Sequence, residues 1–278
     1  HSITYTFLSI ICKNIFMNKN HKIKGIIFDI DGTLILNGQA LLGAIETINI
    51  LRKAGILLRF VTNTTTRTSE QLGSSLRVLN FNIQDDEIVT SVSACIKFIN
   101  KNYPKKLGFL AIPETITPQF SMIKQTKDNP DFVVLGDLDE AFDYAVLNQV
   151  FNYVRAGAQL ITFHSNLYFF REEKTWLDSG AFTFALEKAT GKKAFVTGKP
   201  ASEMFESAVT SMGLNKNEVI VIGDDVLTDI QGAHNSGLIG YLVATGKFKH
   251  EHLIEYHITP EHYLHNIRDI INILDIDE

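Results

Sequence analysis

Residues 22–30 form a nearly continuous β-branched apolar run that breaks off at two acids, Asp29 and Asp31, just before Gly32. A strand apolar on both faces has to be covered on both faces, which is the condition of a parallel sheet wrapped by helices. The same rhythm returns along the chain. Apolar runs at 57–61, 107–112, 131–135, 159–163, 194–197, 219–222 and 240–243 read as strands. Between them lie helix-period stretches at 41–54, from Ser69 through Leu72, Leu76 and Leu79, and at 91–102, 144–156, 181–190, 198–212 and 228–235. Gly55, Gly157 and Gly191 stand where three of these helices should stop. A last helix is predicted from Pro260, carrying Ile267, Ile270, Ile271 and Leu274. Strands alternating with helices throughout predict an α/β fold, a doubly wound parallel sheet of Rossmann-like form.

At 278 residues the chain exceeds the usual single domain, and its spacing says where the excess sits. Neighbouring parallel strands need a crossover of only about thirty residues. The stretch between Thr62 and Lys199 is several times longer and has strands and helices of its own, so it holds an inserted α/β domain. The predicted division is a core of residues 21–103 and 194–278 with a cap of residues 104–193. Residues 1–20 are set apart as an N-terminal extension, with a domain start favoured near Met17. Their apolar segment, 3–16, is too short to span a bilayer, and a secretory leader is a weak reading. The formal net charge of −5 offers no basic footprint for nucleic acid, and no membrane partner is expected. Cys12 and Cys95 sit among apolar neighbours and read as reduced thiols of a cytoplasmic protein.

The chemistry gathers where strands end. Asp29 and Asp31 leave the first strand two residues apart, and Gly32 permits the sharp turn that lets both face one pocket. One carboxylate can then attack phosphorus while the other manages protons. An acidic loop capping a strand is the plain alternative for that pair alone. Thr62 ends the second strand, Lys199 follows a later one and Asp224 ends the next. In an open parallel sheet the C-terminal strand ends line one crevice, where ligands bind. Carboxylates for a cation, with a hydroxyl and an ammonium for phosphate oxygens, form a set suited to phosphoryl transfer.

These stretches resemble, in order, the four signatures of the haloacid dehalogenase (HAD) superfamily of phosphatases. Residues 26–34 (IIFDIDGTL) resemble the first, Val61-Thr62-Asn63 the second, Gly198-Lys199-Pro200 the third and residues 222–229 (IGDDVLTD) the fourth. The resemblance implies that Asp29 is the nucleophile, while Asp31 protonates the leaving group and then activates water. It assigns phosphate oxygens to Thr62 and the backbone around Asn63, and charge neutralisation to Lys199. It implies a Mg2+ ion held by Asp29, the Asp31 carbonyl and Asp224. Asp229 would orient metal waters or Lys199, with Asp225 as a substitute in that role.

The chain with its inserted domain resembles the C2-capped, NagD-like branch of that superfamily, through residues 147–149, 157–161 and 185–190 of the insert and Thr245-Gly246-Lys247 of the core. That likeness implies a small phosphorylated substrate, phosphoamino acids or pyrophosphate among the options, and a homodimer through the cap. His164, in the stretch 164–168, is a candidate for substrate selection, against a surface loop with a satisfied histidine as the alternative. The histidines at 250, 252, 257, 262 and 265 are spaced too irregularly for a designed metal site and read as a solvated face. Trp176 reads as a packing residue of the cap. A phosphotransferase or mutase on the same scaffold is the first alternative to a hydrolase. A non-catalytic binding protein is the second.

Overall fold

The computed structural model describes residues 22–171 and 174–276, so the expectation for residues 1–20 lies outside the described residues. The fold is the α/β architecture predicted, and the Cα positions gather into two compact units. One holds the described residues up to Thr62, then Leu72–Val89 and Phe205 onward; the other holds Asn63–Gln71 and Thr90–Met204.

The first unit is built on a six-stranded sheet. Its order runs His262–Leu264, Ile239–Val243, Val219–Gly223, Gly25–Asp29, Leu57–Thr62 and Ile88–Thr90. Gly25–Asp29 lies near the middle and pairs in parallel on both sides, Phe28 standing level with Ile222 and with Phe60. All five residues of that strand are buried. Ile26, Phe28 and Ile30 share one face with Leu58, Phe60, Ile220 and Ile222, and they pack against Ile48, Leu51, Leu72 and Leu76 of the helices Ala44–Lys53 and Ser69–Val78. Ile27, Val61 and Val221, pointing the other way, are buried too. This two-sided burial is what the uninterrupted apolar runs required. Each such side chain contributes about 1.5–3 kcal/mol of transfer free energy. Arg52 and Lys53 sit in the last turn of Ala44–Lys53, where the helix dipole favours cations. Arg52 also forks onto Glu87, Nη1 donating to Oε1 at 2.8 Å.

The second unit has its own four-stranded parallel sheet, ordered Phe195–Val196, Gln159–Thr162, Phe132–Leu135 and Gly108–Ala111. Alternation again divides the core. Phe132 and Val134 face Val92, Cys95 and Ile99 of the helix Ser91–Asn102, whereas Val133 and Leu135 face Val150 and Val154 of Tyr144–Ala156 and Leu186 of Ser179–Thr190. Three helices start on capping side chains: Thr90 accepts from Ser93 N, Asp143 from Val146 N and Asp178 from Ser179 N. Burial raises the Cys95 thiol to about 12, so it stays protonated and serves as core.

Two predicted elements need correction. The stretch from Pro260 does not begin a helix: His262–Leu264 is an edge strand paired in parallel with Tyr241–Val243, and the helix is confined to Asp269–Ile273. The neighbouring strand would otherwise present unpaired backbone groups, and three residues of β-compatible sequence satisfy them. The helix expected at 228–235 opens instead as a π turn, Val226–Ile230, before the α-helix Gln231–Asn235. The antiparallel hairpin Tyr168–Arg171 with Lys174–Leu177 was not predicted either; Trp176 stands on it 40% exposed, so its ring is only partly packed. No helix of the described residues is long and apolar enough to cross a membrane.

Candidate active site

Register brings the acids of the first unit to one rim. Asp29 is level with Val61, which puts Thr62 one residue beyond it. Phe28 is level with Ile222, so Gly223 stands beside Asp29 and Asp224 just past it. All three side chains are buried, Asp29 at 5%, Thr62 at 3% and Asp224 at 1% exposure. Asp229 completes the group. The π turn that follows Asp224 swings it back, and carboxylate oxygens of Asp29, Asp224 and Asp229 lie within 4.8 Å of one another. π turns recur at functional sites because they displace a side chain from the helical path.

The surrounding donors fix the carboxylates. The Thr33 hydroxyl lies 3.4 Å from both Asp29 Oδ2 and Asp224 Oδ1 and can donate its one proton to only one of them at a time. Asp229 Oδ2 accepts from Asp225 N at 3.1 Å. The Asp225 carboxylate is used differently: it caps the π turn, accepting from Leu227 N at 2.9 Å and Thr228 N at 3.1 Å. Asp229 therefore joins Asp29 and Asp224, while Asp225 holds the turn that delivers it. Gly32, at φ 95°, lies so close to Asp224 that a Cβ there would come within 2.4 Å of Oδ2. Asp31 is exposed where the chain leaves the strand, and its backbone bridges to Ile35.

Three buried carboxylates at this separation repel one another strongly in a low-dielectric setting. The donor set is all oxygen and anionic, which suits a hard divalent cation such as Mg2+. Among the described residues, the carboxylates of Asp29, Asp224 and Asp229 are grouped closely enough that they could hold one.

Lys199 and Asn63 belong to the second unit, where they clamp each other. Lys199 N donates to Asn63 Oδ1 at 2.8 Å, and Asn63 Nδ2 donates back to Lys199 O at 3.0 Å. Ser91 Oγ adds a bond to Asn63 O at 3.4 Å. The Asn63 side chain thus sets the backbone of Lys199, whose own side chain is 5% exposed. His164 is 4% exposed, with Nε2 3.7 Å from Asp178 Oδ1 and Nδ1 accepting from Asn166 N at 3.4 Å. Nearby Asp137 has its carboxyl pushed up, first by burial and then by the Asp178 charge.

Sequence reasoning quoted Thr33 and Thr245-Gly246-Lys247 as parts of matching stretches but gave neither a role at the site. Thr245 Oγ1 donates to Gly32 O at 2.5 Å and Lys247 N to Asp224 Oδ2 at 2.6 Å. The signal was present: that loop also leaves a strand at the C-terminal rim.

Known proteins share this fold. The family profile "Haloacid dehalogenase-like hydrolase" matches residues 26–123, and "HAD-hydrolase-like" matches residues 196–270. Human haloacid dehalogenase-like hydrolase domain-containing protein 2 is 38% identical over 242 residues, spanning 87% of this chain and 91% of that protein. The chain belongs to the haloacid dehalogenase-like hydrolases. Within that family, the phospholysine phosphohistidine inorganic pyrophosphate phosphatase of Danio rerio is 32% identical over 234 residues, 82% of this chain and 85% of the relative. The crystal structure of 4-nitrophenylphosphatase from Thermotoga maritima superposes with a TM-score of 0.83 at 26% identity, over 90% of this chain and 97% of that one. NagD from E. coli K-12 shares the fold, with a TM-score of 0.80 at 24% identity over 89% and 98% of the two chains. This HAD hydrolase is an enzyme of the phosphatase type, on the NagD-like branch.

Proposed function

We propose that this HAD hydrolase cleaves a small phosphorylated substrate by way of an aspartyl-phosphate on Asp29, with Mg2+ as its cofactor. The buried trio Asp29, Asp224 and Asp229 carries the reading, because a divalent cation offsets the repulsion among three carboxylates gathered this closely. A carboxylate oxygen of Asp29 attacks phosphorus, and the bond from phosphorus to the leaving atom, oxygen in an ester or pyrophosphate and nitrogen in phosphohistidine, breaks as that atom takes the Asp31 proton. Asp31, now a carboxylate, removes a proton from water. The water oxygen attacks phosphorus, and inorganic phosphate leaves as Asp29 is restored. Bound Mg2+ supplies positive charge for the phosphoryl oxygens and for the acids that hold it. Asp29, Asp224 and the Asp31 carbonyl would hold the ion, and Asp229 would join or orient that set. Thr62 and the Asn63 backbone take phosphate oxygens, and the Lys199 ammonium neutralises charge. Residues 104–193 act as the cap that selects substrate, with His164 contributing to the choice, and they pair two copies in a homodimer. The protein works in the cytoplasm.

Relatives named for phospholysine, phosphohistidine and pyrophosphate support a phosphoamino acid or pyrophosphate as substrate. Turnover of p-nitrophenyl phosphate is expected with Mg2+ and is lost on chelation. A panel with pyrophosphate and phosphohistidine then ranks natural leaving groups. Product analysis that finds the phosphoryl group on a second substrate, rather than as inorganic phosphate, would replace hydrolysis by transfer. Absence of turnover with every small phosphoester would favour a binding role.

A further inference from the structure

We infer that the loop following Ile239–Val243 is a positioning device for the cation site, in which Thr245, Gly246 and the Lys247 N–H aim the Asp224 carboxylate. This rests on the reading that the acidic trio holds a divalent cation. The loop fastens at three points within the first unit. Thr245 Oγ1 donates to Gly32 O at 2.5 Å, which ties the loop to the turn after Asp29. Lys247 N donates to Asp224 Oδ2 at 2.6 Å. Phe248 packs against the apolar cluster that includes Val226 and Ile230 of the π turn carrying Asp229. One short segment therefore touches each of the three segments that bring an acid to the site.

Gly246 is what permits the approach. It sits at φ 57°, and a Cβ there would lie 2.1 Å from Asp224 Oδ2 and 2.6 Å from Gly32 Cα, both of which are held in place. With Oδ2 taken by a backbone N–H, the other oxygen, Oδ1, stays on the side of Thr33 and Asp29. A carboxylate at 1% exposure needs such a donor to offset its lost hydration, and the donor fixes its orientation as well. Thr245 and Gly246 are thus positioning residues that act through Asp224.

The test measures Mg2+ binding by isothermal titration calorimetry on the full chain, without substrate. Thr245→Val, which keeps shape and loses the hydroxyl, is expected to weaken Mg2+ about tenfold, while Thr245→Ser stays within about twofold of wild type. Gly246→Ala is expected to bind more weakly still; if it does not fold, the Thr245 pair decides. A merely structural role would lower the Tm of the cation-free Thr245→Val protein while leaving the Mg2+ affinity of its folded form at the wild-type value. Asp224→Asn serves as the control. Wild-type affinity in Thr245→Val and Gly246→Ala, beside lost binding in Asp224→Asn, overturns the positioning role and leaves the cation site standing. Wild-type affinity in Asp224→Asn removes the cation assignment, and this inference with it.

Discussion

At the scale of single residues, crowding and charge decide what can be changed. Gly32 has both a left-handed backbone and a carboxylate against its Cα, so alanine there meets strain and a clash together. Gly32→Ala is expected to lower stability by about 1–3 kcal/mol, read as a shifted urea midpoint at unchanged slope. Asp29→Asn keeps the shape and removes the proposed nucleophile. Turnover of p-nitrophenyl phosphate should fall by at least about 10^3-fold, with no phosphate label retained on the denatured protein. Label retained at the wild-type level would place the phosphoryl acceptor elsewhere.

At the scale of elements, a histidine–glutamate pair docks the helix Gln231–Asn235 beside the edge strand His262–Leu264. His234 Nε2 lies 3.1 Å and 3.2 Å from the two Glu261 oxygens, and Glu261 Oε2 accepts from Gly240 N at 2.8 Å. The Glu261 carboxylate raises His234, against burial. Burial pushes Glu261 up, yet His234 and the Gly240 N–H together hold it below its ordinary value. His262 and Tyr241 face the same region; burial lowers the first and raises the second to about 12. The His234 contribution is whole below the unfolded histidine value of about 6.5 and is lost as pH rises through the elevated folded value. The Glu261 contribution is present above its unfolded value and is lost as pH falls through the depressed one. Glu261→Gln should therefore cost more stability near pH 6 than near pH 8.5, by on the order of 1 kcal/mol for a partly exposed pair. Equal losses of Tm at the two pH values would show that the pair is not ionic.

At the scale of the whole molecule, the proposed cation site in the trio would link folding of the first unit to the cation. Mg2+ at about 100 times its Kd should stabilise that unit by about 2.7 kcal/mol, seen as a rise in Tm that Asp224→Asn does not share. A cation-independent Tm in the wild type would sever that link. The second unit, with its separate sheet and two apolar clusters, has a core of its own and does not depend on the trio for packing.

Much of this was legible in the order of residues, because local physics writes it there. Runs apolar on both faces specify parallel strands, glycines mark helix ends, and acids just past apolar runs fall at one rim. That is how Asp29, Thr62 and Asp224 could be read together before any coordinates. The stretch from Pro260 shows the limit: its apolar spacing fitted a helix, and only the unpaired edge of Ile239–Val243 made His262–Leu264 a strand. The π turn that carries Asp229 beside Asp29 and Asp224 has no local signature either. Nor does the 2.6 Å bond from Lys247 N to Asp224, which joins residues 23 apart. Sequence by itself determined the parallel α/β scaffold and the chemical type of its rim. Tertiary structure decided which oxygens meet and which donors aim them, since those contacts depend on strand register and backbone approach, and neither is encoded within any one segment.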